Sequence, residues 1–196
     1  MILSNVEIHR ALDEKRLILE PEPSPRIAGP EGSCPFQTSS VDLRLSPEIA
    51  HFKAGLPISI DLRAGSFGDL FSANSQQFVL TEQQPFALKP GRLVLGRTLE
   101  RISLPLSSDG TVSTLAARIE GKSSYARCGL LVHFTAPTIH AGFSGTITLA
   151  LINLGPFDIM LYPNAPICQL ILEEVRGVPI PSLSQFHGQS QAGGGR

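Results

Sequence analysis

Cysteine, net charge and long apolar runs are all scarce in this chain, and each scarcity removes a class of function. The three cysteines, Cys34, Cys128 and Cys168, are odd in number and far apart. That fits reduced thiols better than a disulfide framework. There is no C-x-x-C pair and no H-x-E motif, so the usual zinc cradle for activating water is missing. The formal net charge is −1. A broad basic surface for nucleic acid is therefore excluded, and any anion site must be local. No stretch approaches the run of about 18 apolar residues that a membrane helix needs. The opening segment MILSNVEIHRALDEK carries acids early and has no long apolar core, so a cytoplasmic location is expected.

Glycine and proline are abundant by contrast, at 18 and 16 residues. They favour many short strands joined by turns over a bundle of helices. Ser4 and Glu7 fit a capping box for a helix over 5–14. Residues 20–37 read as a loop. In TSSVDLRLS (38–46) the alternation of Val41, Leu43 and Leu45 with polar residues predicts a half-buried strand. Residues 48–76 carry no clear signal. Beyond them, QQFVL, PFALK, RLVLGRTLE, TVSTLAARIE, GLLVHFTA, TITLALIN, FDIMLY and ICQLILEEV read as strands. KSSYARCG reads as a single helical turn, capped by Ser123 or Ser124 and ended by Gly129. The expectation is one all-β domain over 1–178, a barrel or distorted jelly roll with few short helices. A flexible polar tail over 179–196 is expected to act as a lid.

Two segments have residues suited to chemistry. Lys122, Ser123 and Ser124 bring a cation and two hydroxyls to a helix start, which suits an anion. Arg127 lies one helical turn further on. In the strand 145–153, Ile147, Leu149 and Leu151 form a core face. Thr146, Thr148, Ala150 and Ile152 form a mixed face suited to lining a polar cavity. Taken alone, these residues read more readily as a helix cap, a solvated arginine and a core strand than as a site.

Together, KSSYARCGLLVHFTA (122–136) and GFSGTITLALIN (142–153) resemble the active-site core of the dCTP deaminase family, within the dUTPase-like superfamily. TSSVDLRL adds a second patch. The resemblance implies a dUTPase-like distorted jelly roll, or β-clip barrel, that assembles as a homotrimer with sites at subunit interfaces. It implies zinc-independent hydrolysis of dCTP to dUTP and ammonia in pyrimidine deoxynucleotide biosynthesis. dTTP is implied as an inhibitor, and Mg²⁺ as an ion carried by the triphosphate. Lys122, Ser123 and Ser124 fall on positions that contact the triphosphate. Ser123 also falls beside the catalytic water, and Arg127 on the partner of the general base. The backbone at Ala136 would orient the water, and His133 would support the site. The loop with Thr138, Ile139, His140 and Phe143 would approach the base and sugar. Asp42 resembles a position near the metal and the subunit interface. In the tail, Gln189 and, more loosely, Phe186 match a segment that closes over the nucleotide.

Two positions depart from the pattern. The family's water-activating Glu is Ala150 here, and a general base is worth about 10²–10⁴ in rate. The expectation is therefore a form that binds nucleotide but turns it over poorly. His140 stands where dUTPase-type members carry Asp, which argues against a dUTPase or a bifunctional deaminase–dUTPase. The remaining alternatives are an enzyme in which another acid such as Glu120 serves as base, and a non-catalytic nucleotide-binding regulator.

Overall fold

Alternating apolar residues decide which way each strand faces. A computed structural model describes residues 1–181 apart from 31, 54, 56–58, 62, 64–66 and 108–112. Its helix α1 (Asn5–Asp13) begins where expected, with Ser4 Oγ accepting from the Glu7 N–H at 3.4 Å. Ile8, Ala11 and Leu12 recur at helical spacing and are buried. Just before the helix, the Leu3 N–H donates to the Leu172 carbonyl and ties the chain start to a sheet.

The strands are β1 (Ile18–Glu20), β2 (Val41–Arg44), β3 (Glu48–Phe52), β4 (Ser75–Val79), β5 (Phe86–Leu88) and β6 (Leu93–Ser103). They continue with β7 (Leu115–Gly121), β8 (Leu130–Val132), β9 (Thr138–Ile139), β10 (Ser144–Asn153), β11 (Ile159–Leu161) and β12 (Pro166–Glu174). Helix α2 (Phe67–Asn74) precedes β4, and the single turn α3 (Ser123–Ala126) follows β7. The segment without a clear sequence signal thus holds β3 and α2. The chain is mostly β with few short helices, as its turn-rich composition predicts.

One sheet runs β4-β3-β6-β10-β8, with β1 also on β6. A second runs β2-β12-β7-β9, and β5 pairs with β11. All the pairings are antiparallel. Inward residues of both main sheets, including Leu43, Ile119, Leu149, Leu151 and Leu170, are fully or almost fully buried in one core. From Ile147 on, β10 follows the predicted faces, with Ile147, Leu149 and Leu151 inward and Thr148, Ala150 and Ile152 half-exposed, whereas Thr146, expected on the mixed face, is buried beside the bulge in β6.

The two main sheets meet along β6. Between the pairs Thr146↔Arg101 and Thr148↔Arg97, β6 carries Thr98, Leu99 and Glu100 where β10 has only Ile147. The resulting bulge is satisfied from within, because Thr98 Oγ1 accepts from the Ile147 N–H at 3.0 Å and donates to the Glu100 carbonyl at 2.7 Å. The bulge sends the fully buried Glu100 carboxylate to β2, where it accepts from Arg44 N–H at 2.9 Å and Arg44 Nε at 2.6 Å. Cys168 is buried nearby, and burial, then Glu100 and Asp42, push its thiol up, so it stays protonated. All three cysteines are free thiols.

Candidate active site

The expected site residues lie on two structures joined by β8. The first is α3. β7 ends at Gly121, and Lys122 takes the N-cap position without a side-chain cap bond. This corrects the expectation that Ser123 or Ser124 caps the turn. Both serines lie inside the helix with exposed side chains, and the Lys122 carbonyl accepts from the Tyr125 and Ala126 N–H groups at 3.0 Å. Arg127 is the C-cap and is also exposed.

The turn ends at Gly129, as predicted, with φ of +93°. A Cβ there would meet Gly155 N at 2.2 Å, and a Cβ on Gly155 would meet the Cys128 carbonyl oxygen at 2.1 Å. Two backbones therefore touch where neither residue can carry a side chain. The fully buried Asn153 holds the facing loop. Its Nδ2 donates to the Leu88 and Phe157 carbonyls at 2.8 and 2.7 Å, and its Oδ1 accepts from the Gly155 N–H at 2.8 Å. Sequence reasoning missed this knot. The only signal was a polar residue ending the apolar strand TITLALIN.

The second structure is the outward face of β10. Ala50, Leu95 and Ala150 form one row across β3, β6 and β10. His133 extends that row, its N–H donating to the Ala150 carbonyl at 2.8 Å. His133 was expected within a strand running to Ala136. The strand instead stops at Val132, and His133 takes a left-handed φ of 50° that turns the chain away. Burial pushes the His133 imidazole below its ordinary range, with a hydrogen bond to the Ala136 backbone pulling the other way. The ring is therefore neutral at pH 7 and tethered to Ala136, which is itself exposed.

Thr138 and Ile139 were expected in a loop and instead form β9, paired with Arg118 and Ala117. Ile139 is buried, so its side chain serves the core. His140 is exposed and heads a tight turn, its carbonyl accepting from the Phe143 N–H at 3.1 Å. Phe143 is half-buried and packs against the core. Glu120 lies on the other main sheet opposite Gln169, with Arg118 Nη1 at 3.5 Å. Gln189 and Phe186 lie outside the described residues.

The start of α3 is near the row of Ala150, because a Cβ on Gly121 would meet Val132 Cβ at 3.8 Å and Val132 pairs with Leu151. Gly129 stands opposite Leu154, and His133 stands beside Ala150. Four residues of extended chain separate those points, about 13 Å at about 3.3 Å per residue.

A family model described as dCTP deaminase-like matches residues 2–175. The chain is 38% identical over 170 residues to a dUMP-forming dCTP deaminase of Dictyoglomus turgidum, covering 87% of this chain and 78% of that protein. It is 34% identical over 175 residues to a dCTP deaminase of Rhodospirillum rubrum, covering 88% and 82%. It is 39% identical over 196 residues to a dUMP-forming dCTP deaminase of Tropheryma whipplei, covering 96% and 89%. Among solved structures, a 2'-deoxycytidine 5'-triphosphate deaminase from Agrobacterium tumefaciens superposes with a TM-score of 0.58 at 19% identity. That match covers 87% of this chain and 47% of the other, and it bears on the fold alone. With a family model spanning nearly the whole length and relatives above 30% identity, this chain belongs to the dCTP deaminase family.

Proposed function

We propose that this chain binds dCTP at sites shared between copies of itself in a cytoplasmic homotrimer, and deaminates it only very slowly. The observation that carries the reading is Ala150. It occupies the outward, half-exposed face of β10, and the sequence resemblance gives this position to the family's water-activating Glu. The exposed Ser123, Ser124 and Arg127 supply hydrogen-bond donors and positive charge for the nucleotide phosphates. In the proposed trimer a neighbouring copy's residues would complete the site, as the resemblance to the family implies. dTTP, with the same deoxyribose triphosphate, is proposed to compete for it.

The proposed parent reaction is zinc-independent. Water adds to C4 of the cytosine, the C4–N bond breaks, and dUTP and ammonia leave. This chain's residues bind the nucleotide and hold the neutral His133 against the Ala136 backbone. No carboxylate stands at position 150 to take the proton from water. Mg²⁺ would enter on the triphosphate, held by phosphate oxygens. Asp42 is not free to reach it, because both of its carboxylate oxygens are already hydrogen-bonded within the chain. A second reading is onward hydrolysis to dUMP. It is favoured by the names of the D. turgidum and T. whipplei relatives. The exposed His140, at the dUTPase-type acid position, speaks against it.

The test compares this chain with Ala150→Glu for ammonia and nucleotide products from dCTP with Mg²⁺. The expected outcome is a gain of about 10²–10⁴ in rate with Glu, with dUTP as product. Equal rates would place the base elsewhere. Tight binding with no turnover in either form would make the protein a nucleotide-binding regulator.

A further inference from the structure

Lys122 falls on a position expected to contact the triphosphate, yet its side chain turns inward. Its Nζ donates to Asp42 Oδ2 at 2.5 Å, with side-chain exposures of only 20% for Lys122 and 12% for Asp42. The other carboxylate oxygen, Oδ1, accepts from Gln169 Nε2 at 3.1 Å, and the same Nε2 lies 3.3 Å from Ser40 Oγ. Asp42, Gln169 and Glu120 sit side by side on β2, β12 and β7. Lys122, two residues past Glu120, thus reaches back across β12 to β2. Its backbone carbonyl meanwhile accepts the first two hydrogen bonds of α3. Lys122 therefore both starts the turn that bears Ser123 and Ser124 and anchors it to the sheet. A charge paired at that distance and largely out of water is mostly neutralised, and little remains for a phosphate.

We infer that Lys122 is a positioning residue in this chain: Asp42 and Gln169 pin it, and it fixes where Ser123, Ser124 and Arg127 stand. This inference rests on the nucleotide-binding reading above for its effect on affinity, but the pin itself can be tested without nucleotide. The experiment is a double-mutant cycle of Asp42→Asn, Lys122→Met and the two combined, read by Tm and by affinity for Mg²⁺-dCTP. A pin predicts that each single change lowers Tm by about 5 °C and that the double falls little further. It also predicts that both single variants weaken dCTP binding by a similar factor, with the double no weaker than either. A direct phosphate ligand would behave differently: Lys122→Met would weaken binding, while Asp42→Asn would free the cation and tighten it. That pattern, or additive losses in Tm, would overturn the inference. If the unaltered protein does not bind dCTP, the nucleotide reading fails, and the Tm cycle alone still decides the pin.

Discussion

The two ends of β8 are built in opposite ways. At the α3 end, Gly129 and Gly155 leave no room for a single methyl group, and Asn153 fixes the loop with three hydrogen bonds. At the other end, the chain leaving β8 meets position 150 through a backbone hydrogen bond from His133, beside a small and half-exposed side chain. The end that carries hydroxyls and arginine is thus fixed by backbone contact. The end that would carry the general base is open to side-chain change. Chemistry can be lost at position 150 with the frame intact, whereas little can change around α3 without moving it.

The largest effect should come from the closed end. Gly155→Ala drives a Cβ into the Cys128 carbonyl, so a backbone must shift at a cost of about 3 kcal/mol. Chemical denaturation would register this as a lower midpoint, and an unchanged midpoint would mean the contact is looser than described. At the open end, Ala150→Glu should change stability by less than about 1 kcal/mol, because the new side chain has solvent on its face of β10. A loss several times larger in the same titration would erase the contrast between the two ends. The smallest effect concerns pH. His133 is held below its ordinary value by burial, so the folded protein binds its proton less readily than the unfolded chain. Its contribution is fully present above about pH 6.5 and is lost as pH falls from there toward the folded value. Relative to His133→Gln, the native protein should therefore lose extra stability as pH falls below about 6.5. Parallel pH profiles for the two proteins would show that the ring is not buried as described.

Much of this could be read from the chain. The period-two pattern of TITLALIN places Ala150 outward and Leu149 and Leu151 in the core, as found. The capping pair Ser4 and Glu7 and the terminator Gly129 mark their helix ends. The errors share a cause. His133, Thr138 and Ile139 were assigned from local pattern. Their conformations are set by distant partners, β10 for His133 and β7 for the other two. Local pattern likewise shows a cation beside two serines at Lys122. Only the fold shows that Asp42, far away in sequence, has already taken it. The Gly129–Gly155 contact joins two unremarkable glycines, and no single-residue preference announces it.

The bulge in β6 makes the length of this chain as much a specification as its composition. Thr98, Leu99 and Glu100 span one residue of β10, and this excess sets which residues before it face the core. Removing one of the three would turn Val94 and Gly96 outward and bring Leu95 and Arg97 in, because a one-residue slip inverts every side chain of a strand. Glu100 would also lose its place beside Arg44. A substitution at position 150 is felt locally, whereas a deletion about 10 Å away along β6 would be felt by both sheets at once.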